Sequence, residues 1–247
     1  MIDLSSFSYF NHVQVFDELP STNEYAMNEI AAGRLNEGRI IVAKHQTKGK
    51  GRYGNQWLSS PNQDLLVTFI MRPNCDQTDV YKITIPFALA THYAINGFIS
   101  NLHECKLKWP NDILINKKKV AGILAQFDSR TGLVVVGVGI NVNSNWVTTD
   151  DKISLSNLAL NKLDVSDILF GLTESIEQQL LAILNCEVNA KAWNDHALFM
   201  NQRVIVMEGN TKLTGAFKGI SESGHAIIHS EDQVLNVKHG SQFRLAV

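Results

Sequence analysis

The chain has 247 residues, of which 45% are hydrophobic and 19% charged. This is the composition of a globular protein, long enough to bury roughly 70–75% of its unfolded surface. Its 22 basic and 24 acidic residues leave a net charge of −2, which removes any global attraction to nucleic acid or an anionic membrane, so the handling of phosphate has to come from local basic residues.

No stretch approaches the ~20 apolar residues of a membrane span, and the N-terminal residues lack the basic start and apolar core of a secretion signal, so the cytoplasm is the expected compartment. Cys75, Cys105 and Cys186 are odd in number and widely spaced. They fit neither a disulfide framework nor a zinc site and are expected to be reduced structural thiols.

In chain order, Ser21-Thr22-Asn23-Glu24 fits a helix capping box, and Glu24 to Ala32 reads as a helix stopped by Gly33. Arg39 to His45 is a β-branched strand running into the glycine-rich segment Gln46 to Gly54, and Asp64 to Met71 is the next strand. Thr78 to Ile99 carries a helical pattern in which Pro86 demands a late start or a kink. Lys106 to Trp109, Ile113 to Ile115, Val120 to Phe127 and Leu133 to Asn141 read as consecutive strands, with turns at Asn116-Lys117 and at Asp128 to Gly132. Val165 to Leu184 is a long amphipathic helix, and Arg203 to Val247 holds about five short strands with the texture of a small β-barrel. Strands joined by tight turns imply a mixed or antiparallel sheet, and the overall class is α+β.

Gly49-Lys50-Gly51-Arg52-Tyr53-Gly54 matches G-x-G-x-x-G literally. A dinucleotide fingerprint must open a helix within a parallel βαβ unit, whereas here Asn55 to Asn62 leads into another strand. The Walker A order is absent as well. What remains is a flexible loop carrying Lys48, Lys50 and Arg52, suited either to an anion or to plain solvation. Trp57 beyond it suits a flat heterocycle or a core anchor. In Lys106-Leu107-Lys108-Trp109-Pro110-Asn111-Asp112, the two lysines share a strand face, which calls for a ligand or marks an edge strand. Lys117-Lys118-Lys119 is read as a solvated turn. Gly137 and Gly139 share one strand face and leave room for a ligand or for packing. No histidine spacing suits a metal, and no G-x-S-x-G elbow is present.

Taken in order, Ser21-Thr22-Asn23, Gln46 with Gly49-Lys50-Gly51-Arg52-Tyr53-Gly54 and Trp57, Lys108-Trp109-Pro110-Asn111-Asp112, Val120-Ala121-Gly122-Ile123-Leu124 and Gly137-Val138-Gly139-Ile140-Asn141 resemble the motif series of biotin protein ligases. The resemblance implies a catalytic core related to class II aminoacyl-tRNA synthetases over residues 1–197 and an SH3-like C-terminal domain over 198–247. It implies activation of biotin by ATP to biotinyl-5′-AMP, with Mg²⁺ bridging the phosphates, and transfer to one lysine of a biotin carboxyl carrier protein. Ser21, Thr22, Asn23 and Gln46 are expected at the ureido end of biotin, with Gly51, Gly122 and Gly139 leaving room for its rings. Arg52 and Lys108, with Lys50, are expected to neutralise the reacting anions and to contact biotin. Trp57, Asn111 and Asn141, with Arg52 and Lys108, are expected on the nucleotide.

Lys50 departs from the family's usual arginine and loses the bidentate fork. Ser21-Thr22 comes too early for the helix-turn-helix that makes some members repressors, so operator binding is not expected. The nearest alternative is a lipoate or octanoate ligase, which the polar trio Ser21, Thr22 and Gln46 argues against because an aliphatic acid would leave it unsatisfied. A non-catalytic adenylate-binding or acceptor-binding module is the alternative from another class. An exposed sheet edge is compatible with either a homodimer or transient acceptor docking.

Overall fold

The computed structural model of the chain describes residues 3–100, 102–145, 151–159, 161–231 and 233–246. It begins with strand β1 (His12–Phe16), helix α1 (Thr22–Ala31) and strands β2 (Arg39–Ala43) and β3 (Leu65–Met71). A 3₁₀ helix (Gln77–Ile83) leads into α2 (Thr84–Asn96), followed by β4 (Cys105–Lys108), β5 (Asp112–Ile115), β6 (Lys118–Asp128) and β7 (Leu133–Ile140). Short α3 (Ser156–Ala159), α4 (Val165–Gln178), α5 (Leu180–Leu184) and α6 (Ala190–Asp195) precede β8 (Arg203–Glu208), β9 (Thr211–Ile220), β10 (Ala226–His229), β11 (Val234–Val237) and β12 (Ser241–Leu245).

The first seven strands form one sheet in the order β1-β2-β3-β7-β6-β5-β4, and the last five form a second in the order β11-β10-β9-β8-β12. Among the strand-to-strand pairings of the described residues only β1 and β2 run parallel; the others are antiparallel. The mixed sheet with helices and the five-stranded β tail are therefore as the sequence implies. Among the described residues no helix is long and apolar enough to cross a membrane.

Strand alternation sorts the large sheet into two faces. Leu65, Val67, Phe69 and Met71 of β3 and Val134, Val136, Val138 and Ile140 of β7 join α2 and α4 in the main core. Ile41, Ala43, Ile70, Leu133 and Val135 point the other way, against Ala26 and Ile30 of α1. Gly137 and Gly139 continue this second series, so the sheet face that α1 covers at one end carries no side chains of its own at the other.

Local chemistry accounts for the element ends. Ser21 caps α1 by accepting from the Glu24 amide (3.4 Å), while the Glu24 carboxylate turns away to Lys50 Nζ (2.8 Å). Pro86 lies in the first turn of α2, where a missing N–H costs little; the α-helix starts late, one of the two outcomes Pro86 demands, and the residues before it are 3₁₀. The expected Val165 to Leu184 helix is interrupted at Gln179, whose backbone leaves the helical region (φ −108, ψ 10).

The reading of three reduced thiols is corrected. Cys75 and Cys186 are joined across a sequence separation of 111 residues, and only Cys105 is free. The fold brings the β3-to-α2 loop beside the α5-to-α6 loop, with the Asn74 amide donating to Leu184 O (2.6 Å), a proximity that linear spacing does not encode.

The two sheets meet at Trp109. Its ring is 2% exposed, its Nε1 donates to Gly224 O (3.1 Å), and it packs edge-on to Phe243 at 5.7 Å. A Cβ at Gly240 would collide with this indole and with Val206. Trp109→Ala is expected to lower stability by about 3–5 kcal/mol, measured by urea unfolding.

His92 on α2 is also buried, beside His196 at a ring separation of 4.1 Å and with Nε2 at 2.9 Å from Asn96 Nδ2. Burial, reinforced by His196 and Lys106, pushes its imidazole down from 6.5 to about 4. The unfolded chain takes up a proton near 6.5 that the folded chain refuses until about 4, so stability is complete above that window and is lost as pH falls through it. Urea midpoints measured at pH 7 and pH 5 should therefore fall less in His92→Gln than in the parent.

Candidate active site

One row of paired residues crosses the face of the large sheet that bears Gly137 and Gly139. Leu66 on β3 pairs with Gly139 on β7, Gly139 with Gly122 on β6, Gly122 with Asp112 on β5, and Asp112 with Lys108 on β4. Two opposed glycines in mid-sheet leave a slot without side chains, and Lys108 stands at the end of the same row. In the next row, Thr68, Gly137 and Leu124 are paired. A cavity of about 490 Å³ lies over these rows. Ser21, Thr22, Asn23, Gln46, Lys50, Gly51, Arg52, Trp57, Lys108, Asn111, Gly122 and Gly139 all line it, so the structure brings together every residue expected to contact biotin or the nucleotide except Asn141.

The neutral end of the cavity is a hydrogen-bond network. The Thr22 amide and hydroxyl donate to Gln46 Oε1 (2.7 and 3.1 Å). The fully buried Thr68 hydroxyl donates to Asn23 Oδ1 (2.7 Å) and lies 2.8 Å from Thr22 Oγ1. Asn23 Nδ2 donates to Leu124 O (3.1 Å) and to Gln126 Oε1 (2.9 Å). The argument that an aliphatic acid would leave Ser21, Thr22 and Gln46 unsatisfied is thus narrowed: Ser21 Oγ caps α1 and Gln46 Oε1 takes both Thr22 donors, while Gln46 Nε2 donates to nothing among the described residues.

The glycine-rich segment folds over the cavity as a small hairpin. Lys50 bridges to Gln56, the Trp57 amide donates to Gly49 O (2.9 Å), and Tyr53 and Gly54 take left-handed conformations at the tip (φ 55 and 77). A Cβ at Gly49 would meet Trp57 O at 2.5 Å, so the hairpin closes only with glycine there. Trp57 lays its indole on the glycine slot: a Cβ would come within 2.5 Å of that ring at Gly139 and 3.0 Å at Gly122. Its Nε1 is buried without a partner among the described residues, and Lys119 Nζ lies 5.4 Å from the ring centroid.

Four cations line the cavity against a single carboxylate, Asp112. Lys119 pairs with Asp112 at 2.6 Å and Lys50 with Glu24 at 2.8 Å. Arg52 donates to Asn111 Oδ1 (3.3 Å) and Tyr53 Oη (3.1 Å) but meets no carboxylate among the described residues, and neither does Lys108. Burial holds both below the usual range for their side chains, with Asp112 opposing the shift in each case. Two desolvated cations without a carboxylate partner, beside the Trp57-covered glycine slot, are a receptor for an anion.

Asn141 stands apart. It is buried, its amide donates to Lys119 O and Ile153 O (3.3 and 3.2 Å), and it fixes the end of β7 rather than lining the cavity. Lys119 and Asp112 are the residues that sequence reasoning passed over. An unpaired Val120 makes a β-bulge, so that Ile113 pairs with Ala121 but Leu114 with Lys119. The bulge reverses the alternation and turns Lys119, read as part of a solvated turn, into the cavity. Lys117 stays at the turn (φ 67), and Lys106 lies 3.9 Å from Glu104, outside the cavity. Gly240 and the first residues of β12, Ser241 to Phe243, supply a further wall, tied to the hairpin by Tyr53 Oη donating to Gly240 O (3.3 Å).

The model of the biotin/lipoate A/B protein ligase family matches residues 15–143, just over half of the chain. The chain belongs to that family. Among curated relatives, it is 27% identical to the bifunctional ligase/repressor BirA of Bacillus subtilis over 92% of this chain and 72% of that protein. It is 26% identical to the biotin–[acetyl-CoA-carboxylase] ligase of Mycobacterium tuberculosis over 96% of this chain and 91% of that protein. Among solved structures, the biotin protein ligase of Aquifex aeolicus in complex with biotin and ATP superposes with a TM-score of 0.82 at 26% identity, covering 96% of this chain and 99% of that one. The matched span contains every cavity residue discussed above except Gly240 to Phe243.

Thr68 is the hub of the neutral end of the cavity. Thr68→Val keeps its shape but strands Asn23 Oδ1, and is expected to cost about 1–3 kcal/mol in urea unfolding.

Proposed function

We propose that this chain is a biotin–protein ligase. It joins biotin to ATP, forming biotinyl-5′-AMP and pyrophosphate, and passes the acyl group to a lysine on a biotin carboxyl carrier domain, releasing AMP. The observation that carries this reading is the pair of unpaired, half-buried cations, Arg52 and Lys108, at the junction of a polar end and a flat slot, in a chain whose relatives are biotin ligases.

The chemistry follows from the charges. A carboxylate and a phosphate repel, and charge builds on the α-phosphate as a carboxylate oxygen attacks it. Arg52 and Lys108, fixed in a low-dielectric site, lower that barrier without reorganising. The network of Thr22, Gln46, Thr68 and Asn23 gives a rigid, polar seat for the ureido head of biotin, which places its carboxylate toward Arg52 and Lys108. Trp57 lies over Gly122 and Gly139, the slot expected to take the rings of biotin, so its ring swings aside to admit them and to cover the adenine. Asn111, bonded to Arg52, lies within reach of the nucleotide. Asn141 acts at one remove, holding the backbone of Lys119.

Among the described residues no group of three His, Cys, Asp or Glu suits a metal ion, and Asp112 is already paired with Lys119. Mg²⁺ accordingly enters as part of the ATP complex, and no step is assigned to a protein-held metal. We read residues 1–197 as the catalytic unit and 198–247 as an SH3-like unit that contributes the wall at Gly240 to Phe243. The setting proposed is cytoplasmic, and the activity assigned is the ligase activity alone.

Labelled pyrophosphate should exchange into ATP when biotin is present and not when lipoate or octanoate replaces it. Lys108→Ala should depress both exchange and acyl transfer by about a hundredfold or more. Exchange driven by lipoate or octanoate alone would move the chain to the other branch of its family. A Lys108→Ala variant that changes only biotin affinity, at undiminished turnover, would make Lys108 a binding residue instead.

A further inference from the structure

The bond between Cys75 and Cys186 lies away from the cavity, and the chemistry above makes no use of it. Cys75 belongs to the loop that follows β3 and runs into the 3₁₀ helix; Cys186 belongs to the connection from α5 to α6. Both segments grip the same turn of the tail sheet. From the 3₁₀ helix, the Tyr81 hydroxyl donates to Ser223 O (2.9 Å). From the α5-to-α6 connection, Val188 closes on Gly224, where an added Cβ would lie 3.7 Å from Val188 Cγ2 and 3.5 Å from Ile85 Cγ1 at the start of α2. On α6, Asn194 accepts from the Ile220 amide (2.7 Å) and donates to Ile220 O (3.1 Å). Gly224 O is the acceptor for Trp109 Nε1 (3.1 Å). The disulfide therefore joins the two jaws that hold the anchor of Trp109.

In the cytoplasm, thiol buffers reduce permanent disulfides, and those that form there are transient or redox-sensing. The surroundings of this pair suit exchange. Cys75 is only half-buried, and Asn74, Asp76, Asn185 and Glu187 beside the two sulfurs in sequence are exposed, so an attacking thiolate has access. The Cα atoms are 6.1 Å apart, within the span of a disulfide, so a reduced pair is placed to re-form it. Cys105, by contrast, is buried, and burial pushes its thiol up to about 12, which leaves it inert. We propose that Cys75 and Cys186 form a reversible redox modification site, exchanging with cellular thiols and disulfides, and that its state sets how firmly the tail sheet is gripped. The proposal rests on the ligase reading above for its cytoplasmic setting and for the turnover it modulates. In the reductive direction a thiolate attacks Cys75 Sγ and the bond to Cys186 breaks; the electron pair passes to Cys186 Sγ, which takes a proton. A second thiolate attacks the mixed disulfide, frees Cys75, which is protonated in turn, and leaves within the oxidised product. Two thiols thus become one disulfide as the protein gains two electrons and two protons, and oxidation by a disulfide is the reverse. Once the bond is cut the jaws part more readily. That loosens the hold of Gly224 O on Trp109 and the placement of Lys108, its neighbour in sequence.

The test equilibrates the full chain in mixtures of reduced and oxidised glutathione, quenches with acid and alkylates in urea. Mass spectrometry should count one label, on Cys105, at the oxidising end and three at the reducing end, and the change should reverse fully. Hydrogen exchange of the amides from Phe217 to Ile228 should quicken about tenfold on reduction. Turnover in biotin-dependent pyrophosphate exchange should fall with the same midpoint. A chain carrying both Cys75→Ser and Cys186→Ser should match the reduced protein in every mixture. Labels on Cys75 and Cys186 that appear at no glutathione ratio, or at every ratio, would overturn the site. Tail amides equally protected in both forms, or a double variant as protected as the oxidised chain, would overturn the grip. Label count and tail protection that move together, with no biotin-dependent turnover in any mixture, would count against the ligase reading and leave the redox site standing.

Discussion

The pairing of Gly122 with Gly139 in the middle of the large sheet is the constraint on which the site depends. A sheet face is ordinarily tiled by side chains; here two opposed residues without a Cβ leave the backbone itself as a floor. The register that opposes them also puts Asp112 and Lys108 in line, so the flat slot and the cation beside it come from one set of strand pairings. A slip of one residue would point Ile123 and Val138 into the slot and bury Lys108 in the core. Binding surface and charge placement are thus fixed by the same hydrogen bonds that build the fold.

The second dependency is the contact between the two sheets. Trp109 lies between Lys108 and Asn111 in sequence and fastens the tail to the core through Gly224 and Phe243. The same short segment that presents a reacting cation also anchors the element walling off the cavity. Loosening that contact would disturb the turn from Lys238 to Phe243 and, through the Tyr53–Gly240 hydrogen bond, the hairpin that carries Arg52. Stability and the electrostatics of the site are therefore coupled through one buried indole.

Much of this was legible in the sequence because each feature leaves a local signature. Ser21 three residues before Glu24, the β-branched runs of β2, β3 and β7, the turn at Asn116-Lys117 and the spaced glycines all encode their positions over a few residues. Four features are set by distant partners and left no such mark. Strand β1 is partly exposed on both faces, so His12 to Phe16 lacks the alternation of a half-buried strand, and its identity comes from parallel pairing with β2. Cys75 meets Cys186 only because two loops converge. Lys119 reaches the cavity because a bulge shifts the strand parity at Val120. Asn141 follows Gly139 in the motif but is consumed by the backbone of the neighbouring strand. The slot over the glycines was anticipated; that Trp57 fills it follows from the closure of the hairpin at Gly49.

The central claim is that the slot, the polar end and the unpaired cations form one receptor for an acyl-adenylate with a ureido head. Native mass spectrometry tests it most directly, on the chain incubated with ATP, Mg²⁺ and an equimolar mixture of biotin, lipoate and octanoate. The account predicts a single bound species with the mass of biotinyl-5′-AMP. A bound lipoyl or octanoyl adenylate, or protein that carries no adenylate after exposure to all three acids, would contradict it.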